Sequence, residues 1–197
     1  VFLRQRIKEN NGYLLFLGES CSGKSLLINS LIGEPLLPVE GVPSTAVITE
    51  VYLNDEISEP QYALIKRNAA RQLLSLKEFQ ALAKRSNPEI NRLRAILPDN
   101  GRDVPGVSFF DTPGYGSLIQ EHDEVLMEFL PNCDAAVYIV NYKVGLQEVD
   151  SLFLKEMIEL TFPETQLYLV INLCPKGLGN NDRRVSEVYR AASAILD

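Results

Sequence analysis

Apolar and polar positions alternate along this chain in blocks, and the blocks change period. Tyr13-Leu14-Leu15-Phe16-Leu17 is a short continuous apolar run, the pattern of a strand buried on both faces. Leu26 to Gly33 follows as a helix stopped by glycine. Glu34 to Thr45 holds three prolines and Gly41, which predicts an exposed, irregular loop. Ala46 to Leu53 turns β-like through Val47, Ile48, Thr49, Val51 and Tyr52. Tyr62 to Arg85 is expected to be mostly helical, with a fresh start at the capping box Ser75-Leu76-Lys77-Glu78 and a stop at Asn87-Pro88.

Arg92 to Leu97 alternates as a strand does and is closed by Pro98-Asp99-Asn100-Gly101. Val107 to Phe110 is another short apolar strand. Ala135 to Val140 and Leu167 to Ile171 read as further buried strands. Helices are expected from Glu121 to Leu130, ended by Pro131, from Glu148 to Leu160, and from Asp182 to Leu196. Val1 to Asn10 reads as a short amphipathic helix stopped by Asn11-Gly12.

Strands interleaved with helices predict an α/β fold: a mostly parallel central sheet with helices on both faces and right-handed crossovers. No internal repeat interrupts it, and 197 residues suffice for one domain with a sizeable core. In such a sheet ligands lie outside the carboxyl ends of the strands. Three polar stretches fall at such ends, beginning after Leu17, at Asp111 and at Asn172.

The first of these, Gly18-Glu19-Ser20-Cys21-Ser22-Gly23-Lys24-Ser25, is a complete G-x-x-x-x-G-K-[ST] loop between a strand and a helix. Its backbone N–H groups are suited to cradle phosphate oxygens at the helix N-terminus. Lys24 is placed to reach the β- and γ-phosphates, and the Ser25 hydroxyl to ligate Mg²⁺. The second, Asp111-Thr112-Pro113-Gly114, puts a carboxylate opposite Ser25, where it holds Mg²⁺ through water. Gly114 offers a backbone N–H to a γ-phosphate, so Tyr115 to Glu121 becomes a natural switch. Thr45, in the proline-rich loop just before a strand, offers a hydroxyl that closes over Mg²⁺ when the γ-phosphate is present.

Composition narrows the partners. The net charge of −7 argues against nucleic acid as a ligand. The basic residues between Tyr62 and Arg85 read as a solvated face. Cys21, Cys133 and Cys174 lack metal-ligand spacing and read as free thiols in a reducing compartment. No apolar run is long enough to span a bilayer and no secretory signal is visible, and a cytoplasmic protein with peripheral membrane contact is expected. His122, the single histidine, reads as a solvated residue at a helix start.

Taken together, Gly18 to Ser25, Pro43-Ser44-Thr45-Ala46-Val47-Ile48-Thr49 and Asp111 to Gly114 resemble the first three motifs of a G domain. More narrowly the chain resembles dynamin-superfamily GTPases, in the form seen in bacterial dynamin-like and mitofusin-like proteins. Asn29-Ser30-Leu31-Ile32-Gly33 with Leu37-Pro38 is similar to the link those proteins place after the loop, and the long stretch from Thr45 to Asp111 suits them better than compact Ras-like domains. The resemblance covers most of Tyr13 to Asn172. It implies GTP and Mg²⁺ as ligands, a nucleotide-dependent homodimer across the nucleotide face, and contact with membrane through regions outside this chain. It implies catalytic roles for Ser20, Lys24, Thr45 and Gly114. It also implies nucleotide contacts from Gly18, Glu19, Ser20, Cys21, Ser22, Gly23, Lys24, Ser25, Leu26, Asn172 and Leu173, and metal contacts from Ser25, Thr45 and Asp111.

The chain departs from that pattern in several places, among them Ser20, where relatives often place Gln or Phe, and the lack of an obvious in-cis arginine finger. Where G domains carry Asn-Lys-x-Asp, it reads Asn172-Leu173-Cys174-Pro175, so the carboxylate that accepts hydrogen bonds from guanine is missing. Asp182, or a group outside the chain, is a candidate substitute. Cys21 stands where relatives place Ser or Asn, and no glutamine directly follows Gly114. Slow basal turnover, completed by a second protomer, is the expectation. The alternative is a switch or pseudo-GTPase that holds nucleotide with relaxed base preference and barely turns over. An Era-like, ribosome-associated GTPase fits the acidic balance poorly, and a small-molecule kinase leaves Asp111 to Gly114 unexplained. Residues 1–197 are expected to be a single G domain excerpted from a longer protein, without its last strand and its helical stalk.

Overall fold

In a computed structural model of the chain, residues 11–39, 45–99, 101, 106–114, 129–179 and 181–196 are described. The apolar run at the start becomes β1 (Gly12–Leu17), and its burial on both faces follows from its place inside the sheet. Leu15 and Leu17 pack into the core on one side and Phe16 into the core on the other. Helix α1 (Lys24–Ile32) ends at Gly33, whose φ of 72° is the left-handed cap expected there.

The remaining elements are β2 (Thr49–Asn54), β3 (Gln61–Lys66), β4 (Arg71–Leu74), α2 (Leu76–Ala83), β5 (Ile90–Pro98), β6 (Val107–Asp111), β7 (Ala135–Asn141), α3 (Glu148–Leu160), β8 (Gln166–Asn172) and α4 (Arg183–Leu196). The described strands form one sheet in the order β4-β3-β5-β2-β6-β1-β7-β8. β1 runs parallel to β6 and β7, β7 to β8, and β2 to β5. The pairs β2/β6, β3/β4 and β3/β5 are antiparallel. The sheet is thus mostly parallel with a mixed wing, and apolar clusters line both faces.

Three expectations need correction. Residues 62 to 74 are not helical. Tyr62-Ala63-Leu64-Ile65 is too short to show a period, and partners distant in sequence decide it: Ala63 and Leu64 are buried by antiparallel pairing with β5. The hairpin turns at Asn68-Ala69-Ala70, where Ala69 has φ 65° and the Asn68 side chain accepts the Ala70 N–H at 3.0 Å. The predicted capping box at Ser75 and Glu78 then starts α2. The second strand begins at Thr49 rather than Ala46. β8 is half-buried rather than buried, because it pairs with β7 alone among the described strands, and Tyr168 is 54 % exposed. The expected helix at 1–10, all but the last two residues of the one expected at 121–130, the residues 40–44, the switch at 115–121 and His122 lie outside the described residues. Pro131 sits in a 3₁₀ turn, Leu130–Asn132.

One buried feature has no apolar pattern behind it. Glu50 on β2 is fully buried and meets two buried arginines of β5, Arg92 Nε at 2.9 Å and Arg94 Nε at 3.2 Å. The Ser108 hydroxyl of β6 donates to the same carboxylate at 3.4 Å. The cluster joins three neighbouring strands immediately behind Thr49, which pairs with Asp111.

Candidate nucleotide-binding site

The loop after β1 adopts backbone angles that explain its glycines. Gly18 has φ 137°, and a Cβ there would run into the Ile139 carbonyl of β7. Gly23 has φ 92°, and a Cβ there would run into the Asn172 amide of β8. Cys21 takes a φ of 62° without being glycine. The loop therefore lies over the carboxyl ends of β1, β7 and β8, where a parallel sheet gathers its ligands.

Lys24 is buried and folds back along this loop, its Nζ donating to the carbonyls of Gly18 at 2.9 Å and Glu19 at 2.8 Å. Burial pushes its ammonium down to about 8, while Asp111, Cys21 and Glu19 pull the other way. Glu19 is held above the usual carboxylate range, by burial first and by Asp150 second.

Opposite Lys24, three residues from three parts of the chain converge. Ser25 Oγ donates to Asp111 Oδ2 at 2.7 Å, and Thr45 Oγ1 donates to the same oxygen at 3.0 Å. The two hydroxyls are 3.0 Å apart. Asp111 is fully buried, and its Oδ1 has no hydrogen-bond partner. Burial raises its pKa, which Lys24, Ser25 and Thr45 oppose. A buried carboxylate with one oxygen unanswered fits a cation. Two hydroxyls and one carboxylate are hard oxygen donors of the number Mg²⁺ takes from protein when phosphate and water complete its shell. No group of three His, Cys, Asp or Glu suited to another metal occurs among the described residues.

The third motif is tied to the first. Thr112 Oγ1 donates to the Phe16 carbonyl of β1 at 2.7 Å, and Gly114 lies so close to Ser20 that no side chain fits between them. Ser20, Lys24, Ser25, Thr45, Asp111 and Gly114 are therefore brought into one place. Leu26 sits in the first turn of α1, 41 % exposed.

The base end is different. Asn172 Nδ2 donates to the carbonyls of Ser22 at 3.1 Å and Gly23 at 3.3 Å, so it braces the loop. Leu173 follows with φ 57° and an exposed side chain, and Cys174 is exposed. Asp182, the candidate substitute for the missing carboxylate, is engaged at the start of α4. Its Oδ1 accepts the Val185 N–H at 3.1 Å, at the start of α4, and its Oδ2 accepts the Tyr142 hydroxyl at 3.0 Å. The Val185 N–H is the first cause of its depressed pKa.

Sequence reasoning missed Asn141. It pairs in register with Asn172 on the adjacent strand and donates from Nδ2 to the Cys21 carbonyl at 3.3 Å. The available signal was its position: an asparagine ending a buried parallel strand, as Asn172 does.

A phosphate loop between strand and helix, an aspartate ending β6 and a threonine brought against both are arranged on the fold of a P-loop G domain. The solved fold agrees: an oligomerised bacterial dynamin pair matches over 98 % of this chain and 30 % of that one, with a TM-score of 0.65 and 16 % identity. Era from Aquifex aeolicus, solved bound to GDP·AlF4⁻, matches over 93 % of this chain and 48 % of that one, with a TM-score of 0.54 and 16 % identity. The chain belongs to the Dynamin family, whose sequence model matches residues 14–172. An uncharacterized protein in the xynA 3′ region of Caldicellulosiruptor sp. (strain Rt8B.4) is 30 % identical over 177 residues, covering 86 % of this chain and 42 % of that protein. Dynamin-like protein A of Bacillus subtilis (strain 168) is 21 % identical over 257 residues, covering 98 % and 22 %. Mitofusin FZO1 of Saccharomyces cerevisiae (strain ATCC 204508 / S288c) is 25 % identical over 197 residues, covering 86 % and 22 %. The chain thus spans less than half the length of these relatives. No helix among the described residues is long and apolar enough to cross a membrane.

Proposed function

We propose that this GTPase-family domain binds GTP with Mg²⁺ and hydrolyses it, and that nucleotide state is coupled to dimerisation and to membrane remodelling. The observation that carries the proposal is the meeting of Ser25, Thr45 and Asp111 within 3.0 Å, with Asp111 Oδ1 left unanswered, beside the buried Lys24. Ser25, Thr45 and Asp111 would hold the metal, which when bound neutralises charge on the phosphate oxygens. Lys24 gives up two carbonyl partners for phosphate. Gly114 presents its N–H where a γ-phosphate would lie, and Ser20 beside it can orient the attacking water. A water-positioning glutamine is missing after Gly114, so slow basal turnover is expected.

Dimerisation and membrane contact rest on relatives. The bacterial dynamin pair is oligomerised and is described as sensing and tethering membranes at long range. In the chloroplast translocon components atToc33 and psToc159, dimerization is important for GTPase activity.

A second reading is favoured by Pro175 and by the engaged Asp182: a nucleotide switch with relaxed base preference and weak hydrolysis. A buried donor left unpaired costs about 1–3 kcal/mol, enough for about tenfold in base selectivity. Calorimetric titration with non-hydrolysable GTP and ATP analogues and Mg²⁺, with oligomeric state followed in parallel, separates the two. Tight GTP-analogue binding with dimerisation supports the first. Equal binding of both analogues without a dimer supports the second.

A further inference from the structure

Helix α2 bears on the segment carrying Thr45 from both sides. Upstream, Leu36 and Leu37 are buried against the core. Asn29 of α1 exchanges two hydrogen bonds with the Leu37 backbone: Asn29 Nδ2 donates to the Leu37 carbonyl and the Leu37 N–H donates to Asn29 Oδ1, each at 2.8 Å. Gln80 of α2 donates from Nε2 to the Leu36 carbonyl at 3.0 Å. Downstream, the N–H of Ala46, the residue after Thr45, donates to the Ala83 carbonyl of α2 at 2.8 Å. Gln80 and Ala83 are three residues apart and so lie on one side of the helix. The helix is itself held by its capping box, by the fully buried Phe79 and by that ring's 5.3 Å approach to Tyr62.

We infer that α2 is the abutment that sets Thr45 against Asp111, and that Asn29 and Gln80 are positioning residues for the triphosphate-bound metal site. The inference rests on the nucleotide reading above. Its physical content is simple. A hydroxyl can be placed only as accurately as the chain on either side of it. Here Ala46, the next residue after Thr45, and Leu36, at the start of the stretch that leads to it, both end on one turn of a packed helix, and one asparagine satisfies both backbone polar groups of the buried Leu37, which leaves that residue no other low-cost arrangement. Small displacements of a positioned group weaken a site strongly. Thr45 matters when a γ-phosphate is present, so Asn29 and Gln80 should affect triphosphate and spare diphosphate.

The test uses the whole chain and the ratio of two affinities by calorimetry: non-hydrolysable GTP analogue with Mg²⁺, against GDP. Asn29→Ala and Gln80→Leu are expected to lower that ratio about tenfold with GDP affinity held within about twofold. Asn29→Asp keeps the acceptor for the Leu37 N–H but sets a carboxylate oxygen against the Leu37 carbonyl, and should lose at least as much. The double variant Asn29→Ala/Thr45→Ala should lose no more than Thr45→Ala alone, because Asn29 acts through Thr45. Losses that add in the double variant would make Asn29 an ordinary stabiliser of the fold and overturn the inference. So would a GDP affinity that falls in step with the analogue. Gln80→Leu, on a half-exposed side chain, keeps the question open to experiment if Asn29→Ala does not fold. A wild-type chain that bound neither nucleotide would remove the nucleotide reading and this inference with it. A wild type that bound both, with a ratio unchanged in the variants, would remove the inference alone.

Discussion

The phosphate end and the base end of the site are built on neighbouring strand ends, yet they differ in completeness. At the phosphate end, residues 20 to 86 apart in sequence meet within hydrogen-bond distance, and one buried carboxylate oxygen of Asp111 has no hydrogen-bond partner. At the base end, Asn172 turns toward the loop, Pro175 has replaced a carboxylate, and Asp182 spends both oxygens on α4 and Tyr142. Phosphate recognition uses backbone N–H groups and one lysine, which a fold either positions or does not. Base recognition hangs on one or two side chains and can drift without disturbing the fold. The contrast teaches that, under the proposed function, triphosphate binding and base choice rest on separate sets of residues.

Lys24→Ala should have the largest effect. It removes the charge-assisted contacts to phosphate, and affinity for either purine triphosphate is expected to fall about a hundredfold. Calorimetry that showed base-dependent loss would break the separation. Asp111→Asn comes next and should act with opposite signs. It relieves a buried charge with an unanswered oxygen, so the free protein gains about 1 kcal/mol in denaturant unfolding. The Mg²⁺-dependent part of triphosphate affinity falls at least tenfold.

The pH dependence of binding follows. Lys24 in the free protein is near 8, and phosphate oxygens would raise it. Below pH 7 it is already charged, so Lys24 adds no pH dependence there. Above pH 8 binding must take up a proton, and affinity falls by up to about tenfold per unit until the pKa of the complex is passed. Enthalpies measured in buffers of different ionisation heat report that uptake, and equal values at pH 8.5 would refute it. The smallest effect belongs to Asp182→Ala. It should leave the preference between GTP and ATP analogues unchanged and lower Tm by about 2–4 °C through loss of its contacts at the start of α4. A changed base preference would show that the base end is more complete than its geometry indicates.

Much of the phosphate end was legible because its signals are contiguous. Gly18 to Ser25 carries its chemistry within eight residues, and Asp111 ends an apolar strand. The hairpin of β3 and β4 was not legible. Four apolar residues fit either period, and β5, some thirty residues onward, decides between them. Thr112, Asn29 and Asn141 are common polar residues whose roles exist only through partners that the fold brings. Asp182 carried a visible cap signal, directly before the helix at Arg183, but the expectation of a guanine-reading carboxylate pointed it elsewhere.

The buried trio of Glu50, Arg92 and Arg94 acts as a lock on strand alignment. A strand slipped by one residue turns every side chain to the opposite face. Such a slip of β2 would carry Glu50 into the apolar side among Val51 and Leu53, away from both arginines, at a cost of several kcal/mol. Only one alignment of β2 with β5 leaves the trio intact, the one that sets Glu50 opposite Arg94, and Ser108 ties the same carboxylate to β6, the strand that carries Asp111. Buried charges thus proofread the alignment of the strand that leads into the site.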